Sequence, residues 1–365
     1  MASAVSSRTT SVVLAVALWA AVPVCAAPPP GPMLEWTVQG RTIEGVALTW
    51  SRQELVLMAR DGGLWQFPAA DARQFRRTSD RFQGYSPSEL RATLLRELGD
   101  GYEVSGTGHY VIAHPRGKRD QWAERFEELY RTFVRHFSVR GFALQEPPFA
   151  LVGVVCRDRG EFLRHSARGQ VFPGRGVIGF YSTRTNRILL YEAGGEAIPS
   201  ARWQQGASTV VHEATHQVAF NTGIHSRFSP PPSWVAEGLA TMFEVVGSGA
   251  AEGGSLKGRA HPGWLRQFQQ SVGPRLRPDA LSHMVAGDSG FQSEPGQAYA
   301  TAWALTFYLS ETQPGKYAEY LRRTAAHGAM ERPTAAQRTG DFTAVFGDDW
   351  RMLQARLLRF VEELR

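Results

Sequence analysis

Two histidines four residues apart, in one apolar stretch, constrain this chain more than any other feature of it. Residues 206–223 read Gly-Ala-Ser-Thr-Val-Val-His-Glu-Ala-Thr-His-Gln-Val-Ala-Phe-Asn-Thr-Gly. Ser208 is a fitting N-cap and Asn221-Thr222-Gly223 a fitting stop, so the pattern predicts a helix between them. At about 100° per residue, four positions turn roughly 400°, which stacks His212 and His216 on one face. Their imidazoles can then converge on one metal ion, each nitrogen at about 2.0 Å. Val210, Val211, Ala214, Val218 and Ala219 allow the helix to be buried around that face. Glu213, beside the first histidine, is placed to reach a water at the ion without ligating it.

Two histidines do not complete a site. The metzincin pattern fails, because it needs Gly and His where Ala219 and Thr222 stand. Instead Pro230-Pro231-Pro232-Ser233 breaks the chain, and Trp234 to Glu244 reads as a second helix. Glu237 lies in its first turns, 21 positions after His216. A second helix packed antiparallel on the first can bring that carboxylate to the ion, with Gly238 permitting the close approach. Glu244, two turns further along the same face, can hold a ligand imidazole from behind.

With those residues in place, H-E-x-x-H followed by W-V-x-E-G-L-A-x-x-F-E resembles the gluzincin branch of zinc metallopeptidases. It is most similar to the bacterial peptidase-MA-like proteins of the DUF1570 family. Gly179-Phe180-Tyr181 before Asn186-Arg187-Ile188, Ala298 to Leu305, and Phe342 to Gly347 extend the likeness over roughly residues 100 to 365. The resemblance implies one Zn²⁺ per chain, held by His212, His216 and Glu237, and hydrolysis of a peptide or protein substrate. Glu213 would be the general base and Glu244 an outer support. Tyr299 would donate to the oxyanion, the alternative for it being an aromatic packed on Trp303. Residues 177–181 resemble the edge strand that pairs with an extended peptide.

Elsewhere the chain is ordinary. Its 365 residues are 43% hydrophobic and 20% charged, values that suit a folded α+β protein and exclude disorder throughout. The formal charge of +6 comes from arginines interspersed with acids, with only three lysines. No basic stripe interleaved with aromatics marks a nucleic-acid partner. Residues 1–26 have the charged start, apolar run and small-residue end of a signal peptide, with cleavage expected after Ala26. The expected location is therefore periplasmic or secreted, with an uncleaved membrane anchor as the alternative. No later segment is long and apolar enough to span a bilayer. Cleavage removes Cys25 and leaves Cys156, at the end of an apolar run, as a buried thiol without a disulfide partner.

Residues 33–75 alternate as short strands around Gly40, Gly45 and Asp61-Gly62-Gly63. They are expected as a small β-rich unit, either a separate SH3-like barrel or a sheet packed on the main domain. Residues 76–88 read as a polar connection. A helix from Ser86 to Leu98, a strand at 110–113 and an amphipathic helix over 120–137 come next. Strands are then expected at 149–155, 177–181 and 187–191, with helices almost throughout beyond Ala207. Together these predict an α+β domain with a mixed sheet followed by a helical half, which the resemblance implies is zincin-like over 100–365. His225, His261, His283 and His327 read as isolated surface or core histidines, and the glycine-rich run 247–258 as a flexible loop or a lid. Two other functions fit the same residues: a zinc-braced envelope binding protein without catalysis, and a hydrolase of cell-wall amide bonds.

Overall fold

A computed structural model describes residues 31–364, apart from 39, 72–74, 119, 121, 175, 192–199 and 246–254. Residues 1–26, expected as a signal peptide, and most of the glycine-rich run therefore lie outside the described residues. The protein is α+β, with two five-stranded sheets followed by a helical half.

The first sheet comprises β1 (Met33–Val38), β2 (Arg41–Trp50), β3 (Glu54–Ala59), β4 (Leu64–Pro68) and β5 (Phe75–Ser79), in the order β4-β3-β2-β1-β5. Its pairings are all antiparallel. β5 occupies part of the stretch read as a polar connection. Phe75 and the two arginines after it are exposed, so β5 lacks the apolar alternation that marks a strand in sequence.

The second sheet is mixed. It contains β6 (Tyr102–Gly106), β7 (Tyr110–Pro115), β8 (Leu151–Cys156), β9 (Gly179–Ser182) and β10 (Arg187–Tyr191), in the order β6-β7-β8-β10-β9. β7, β8 and β10 run parallel, flanked by antiparallel β6 and β9. β8 is buried along its whole length, as expected for a central parallel strand, and Cys156 at its end is a free buried thiol. Burial pushes that thiol up to about 12, which keeps it protonated.

Helices α1 (Pro87–Leu98), α2 (Ala123–Ser138) and α3 (Arg159–Arg168) are interleaved with these strands. α1 begins in a capping box between Ser86 and Glu89. α2 buries Phe126, Leu129, Tyr130, Phe133 and Phe137 against β7 and the fourth helix. The helical half comprises α4 (Ser200–Asn221), α5 (Ser233–Phe243), α6 (Leu256–Arg259), α7 (Pro262–Gln267), α8 (Ala280–Ala286), α9 (Gly290–Ser293), α10 (Pro295–Thr312), α11 (Pro314–Ala325), α12 (Ala335–Phe346) and α13 (Trp350–Glu363). No helix among the described residues is long and apolar enough to cross a membrane.

α4 starts eight residues before Ser208, so that serine is inside the helix and not at its cap. α10 is the central helix, buried from Ala300 to Ser310 without a break, and α5 packs most extensively against it. Gly238 makes this approach possible. A Cβ there would stand 2.2 Å from Thr306 Oγ1 and 2.6 Å from the Ala302 carbonyl oxygen. The close approach that Gly238 permits is thus to α10, and not to α4 as the sequence suggested.

Gly238→Ala is expected to destabilise the fold by about 2–3 kcal/mol, since neither the Ala302 backbone nor a helix-borne Thr306 can yield cheaply. Gly340 lies exposed inside α12 with nothing within 4 Å of its would-be Cβ. Gly340→Ala should therefore stabilise by about 0.5–1 kcal/mol. Urea unfolding of the two variants checks both signs.

Candidate functional site

The site is assembled by α4, α5, α7 and α10 beside the edge strand β9. On α4, Glu213, Gln217 and Asn221 recur one turn apart and face the sheet. Glu213 Oε2 accepts the Tyr181 backbone N–H at 2.7 Å. Gln217 Nε2 donates to the carbonyls of Val152 (3.1 Å) and Asn186 (2.8 Å). Asn221 Nδ2 donates to Asn186 Oδ1 at 2.8 Å. Asn186 itself takes a left-handed φ of 58°, a conformation asparagine tolerates better than most residues.

One position before Glu213 and Gln217 stand His212 and His216, on the adjoining stripe of the helix. His212 Nε2 lies 3.1 Å from His216 Nε2 and 3.0 Å from Glu237 Oε2, and His216 Nε2 lies 3.5 Å from that oxygen. These are the only three side chains among the described residues grouped as metal ligands in this way. A tetrahedral ion with ligand bonds of about 2.0–2.1 Å separates its donor atoms by about 3.3 Å, so the spacing and the N₂O donor set fit Zn²⁺.

Behind this triad a second layer fixes His212. Its Nδ1 lies 2.8 Å from Glu244 Oε1, and a carboxylate only accepts, so Nδ1 carries the proton and Nε2 is the nitrogen turned inward. Glu244 Oε2 in turn accepts from Trp264 Nε1 (3.1 Å) and Ser208 Oγ (3.2 Å). His261 Nε2 is 3.3 Å from the same oxygen. His261 Nδ1 accepts the Gly263 and Trp264 backbone N–H groups at the start of α7, which leaves its proton on Nε2, toward Glu244.

The sequence reading placed Glu244 here but missed Ser208, His261 and Trp264. Nothing in linear spacing connects His261 to a carboxylate 17 residues earlier, so in sequence it stands isolated. His225 is buried with Nδ1 on the Ile224 carbonyl, His283 sits against Asp279, and His327 pairs with Asp341, so none of these is a ligand of the triad.

Tyr299, half-buried on α10, stacks on Trp264 with ring centroids 6.1 Å apart and meets Phe291 edge-on at 5.2 Å. The His212 imidazole is a third ring neighbour, at 6.4 Å. Burial, followed by the charge and hydrogen bond of Glu237, raises the phenol well above its ordinary value, so Tyr299 keeps its proton.

The carboxylates of the cluster are pushed in opposite directions. Burial would raise Glu237, but His216 and His212 outweigh it and hold the group ionised far below its usual range. Glu213 is raised, because burial exceeds the lowering by both histidines and the Tyr181 N–H. For His212, burial works downward, yet the hydrogen bonds to Glu237 and Glu244 dominate and raise it to about 10.

That raised value has a sign in pH. The proton on His212 stabilises the ion-free fold fully below about pH 6.5, the ordinary histidine range, and the contribution is lost as pH rises through about 10. In Glu244→Gln the anionic partner of Nδ1 is gone, so the His212 pKa should fall by about one unit or more. Histidine ring NMR titration of chelator-treated protein checks this, and an unchanged value would mean the contact is energetically idle.

Residues 206–331 match the family model of DUF1570, described as a protein of unknown function. That stretch is narrower than the 100–365 read from the residues: the Gly179-Phe180-Tyr181 and Phe342 to Gly347 segments lie outside it. No curated protein matches the chain. Over the matched stretch, which holds the triad, Glu213, Glu244, His261, Trp264 and Tyr299, this protein is similar to DUF1570 proteins.

Proposed function

We propose that this chain is an exported, zinc-dependent peptidase of gluzincin type with a zincin-like catalytic domain. The observation that carries the reading is the convergence of His212 Nε2, His216 Nε2 and Glu237 Oε2 at 3.0–3.5 Å, with Glu213 on the next position of the same helix. Export rests on the signal pattern of residues 1–26 alone.

Zinc, when bound, supplies a Lewis acid that acidifies water and polarises a peptide carbonyl. His212, His216 and Glu237 hold it, and Glu244 orients His212 for the purpose. Glu213 supplies the proton transfer. One of its oxygens is seated on the Tyr181 N–H and the other is left to take a proton from water and return it to the departing amine. Its raised pKa suits both halves of that task, since a carboxylate of ordinary acidity is a poor acceptor near neutral pH.

Tyr299, kept protonated by burial and Glu237, can donate a hydrogen bond to the oxygen on which negative charge develops. β9 ends the order of its sheet, and Tyr181 is paired with Ile188 so that its backbone N–H turns away from β10. An extended peptide laid along this edge meets Glu213 directly.

A second reading has one observation in its favour. The Glu213–Tyr181 contact also fastens α4 to the sheet, so Glu213 has a structural use even in a zinc-braced binding protein that catalyses nothing. The two readings part at Glu213→Gln. An amide can still accept the Tyr181 N–H but cannot take a proton from water.

On the peptidase reading the purified mature chain carries one zinc and cleaves unfolded protein or mixed peptides in a chelator-sensitive way. The Glu213→Gln variant keeps its zinc and loses at least about 10²-fold in kcat. Metal content by mass spectrometry beside the peptide assay decides the matter. Zinc without cleavage in the parent supports the braced binding protein, and no zinc removes both readings.

A further inference from the structure

Away from the metal cluster, the molecule has a cavity of about 680 Å³ walled by both sheets and by α3. β9 separates the two places. Its residues alternate, so Phe180 and Ser182 line the cavity while Tyr181 turns toward α4. The first sheet contributes Arg41 and the turn Asp61 to Trp65, and α3 contributes Arg168. The volume lies in the range of sites that enclose a small organic molecule.

The charge of the lining is unbalanced. Its two carboxylates, Asp61 and Glu97, are both occupied by one guanidinium, that of Arg187, at 3.2 and 2.8 Å. Three more arginines line the cavity: Arg41, Arg168 and Arg184. None of the three pairs with a carboxylate among the described residues. Arg184 meets only the neutral side chain of Gln170. His165, also in the wall, is held below its ordinary pKa by burial first and then by Arg168, so it adds no charge near neutral pH. Beneath this cationic rim the floor is apolar, formed by Val154, Phe180 and Leu189, with Leu64 and the exposed Trp65 in the wall.

A structural ion-pair network would leave its cations matched. A solvated basic surface would have no enclosed apolar floor. A ligand with an apolar body and an acidic end satisfies both halves of this lining, with the body on Trp65 and Phe180 and the anion among guanidiniums that can grip carboxylate or phosphate oxygens two at a time.

We propose that this cavity, between the first sheet, α3 and the back of β9, is a binding site for a small organic anion with an apolar body. The site is separate from the metal triad and does not depend on peptidase activity.

The test uses the full mature chain and a matched pair of probes, 8-anilinonaphthalene-1-sulfonate and its uncharged counterpart N-phenyl-1-naphthylamine. The sulfonate should bind saturably, one per chain, with energy transfer from Trp65 that the Trp65→Phe variant reduces. Arg168→Glu combined with Arg184→Glu should weaken it by about tenfold or more, as should raised salt, and the uncharged probe should bind about tenfold more weakly than the sulfonate. Because these arginines are exposed, the variants should keep the parent circular dichroism; if the pair does not, Arg41→Gln alone gives the same readout with a smaller loss. Equal affinity for the two probes, an unchanged affinity in the arginine variants, or no saturable binding overturns the proposal. Competition by decanoate but not by inorganic phosphate would assign the apolar body its share of the affinity, and competition by phosphate alone would overturn that part.

Discussion

Helix α4 is fastened to the sheet by three polar side chains one turn apart, and the rest of the site inherits its geometry from that seam. Gln217 is fully buried, so its amide must find partners inside the protein or cost about 1–3 kcal/mol. Its Nε2 finds two, on Val152 of the central strand and on Asn186 of the β9–β10 turn, which fixes the helix along and across the sheet at once, while its Oε1 has no hydrogen-bond partner among the described residues. Since consecutive residues are about 100° apart, the stripe holding His212 and His216 is then set beside the seam, facing α5. Glu213 belongs to the seam and borders the triad. Its distance from both is therefore determined by the backbone and needs no flexible loop.

The electrostatics of the cluster make sense as a division of labour. Three carboxylates, Glu213, Glu237 and Glu244, surround two imidazoles in a partly dry environment, an arrangement that a cation would balance better than protons can. Their environments differ in kind. Glu237 faces two histidine nitrogens and stays ionised, while Glu213 sees burial first and is raised. Groups of one chemical type driven apart in this way are what the proposed division into a metal ligand and a proton carrier requires. The same network keeps the Tyr299 phenol protonated, the state that the proposed donor role needs.

How far the sequence foretold this follows from the range of each interaction. His212, His216, Glu237 and Glu244 were legible because they are separated by whole turns of two helices, and helical spacing converts directly into a shared face. The strands β8 and β10 were legible as apolar runs. By contrast, His261 and Trp264 join the site only through the path of the chain between α5 and α7, which no periodicity encodes. Ser208 was misjudged because N-cap residues are also common inside helices when a side-chain partner is near, here Glu244 at 3.2 Å. Gly238 was recognised as a point of close approach, but its partner was not, since α10 lies far along the chain and small residues alone do not say what they admit. β5 escaped for a plainer reason: its face is too exposed to alternate; β6 does alternate, with Tyr102 and Val104 buried, but over only five residues.

The first sheet gains its meaning from the same hairpin turn that anchors α4. Arg227, almost fully buried just beyond α4, donates to the carbonyl of Gly62 at 2.6 Å and to that of Thr183 at 2.7 Å. The Leu64 N–H reaches the Arg184 carbonyl at 2.6 Å, and Arg187 holds Asp61. Gly62 must be glycine in this contact, because its φ is +79° and a Cβ would lie 2.5 Å from the Phe149 ring. Residues 183–187 are thus gripped from one side by Gln217 and Asn221 and from the other by the β3–β4 turn. Through these contacts the small sheet acts as the outer jaw of a clamp on the hairpin that carries β9. Without it, a buried guanidinium would lose one of its few acceptors, at a cost of about 1–3 kcal/mol, and the strand that seats Glu213 would be supported from one side only.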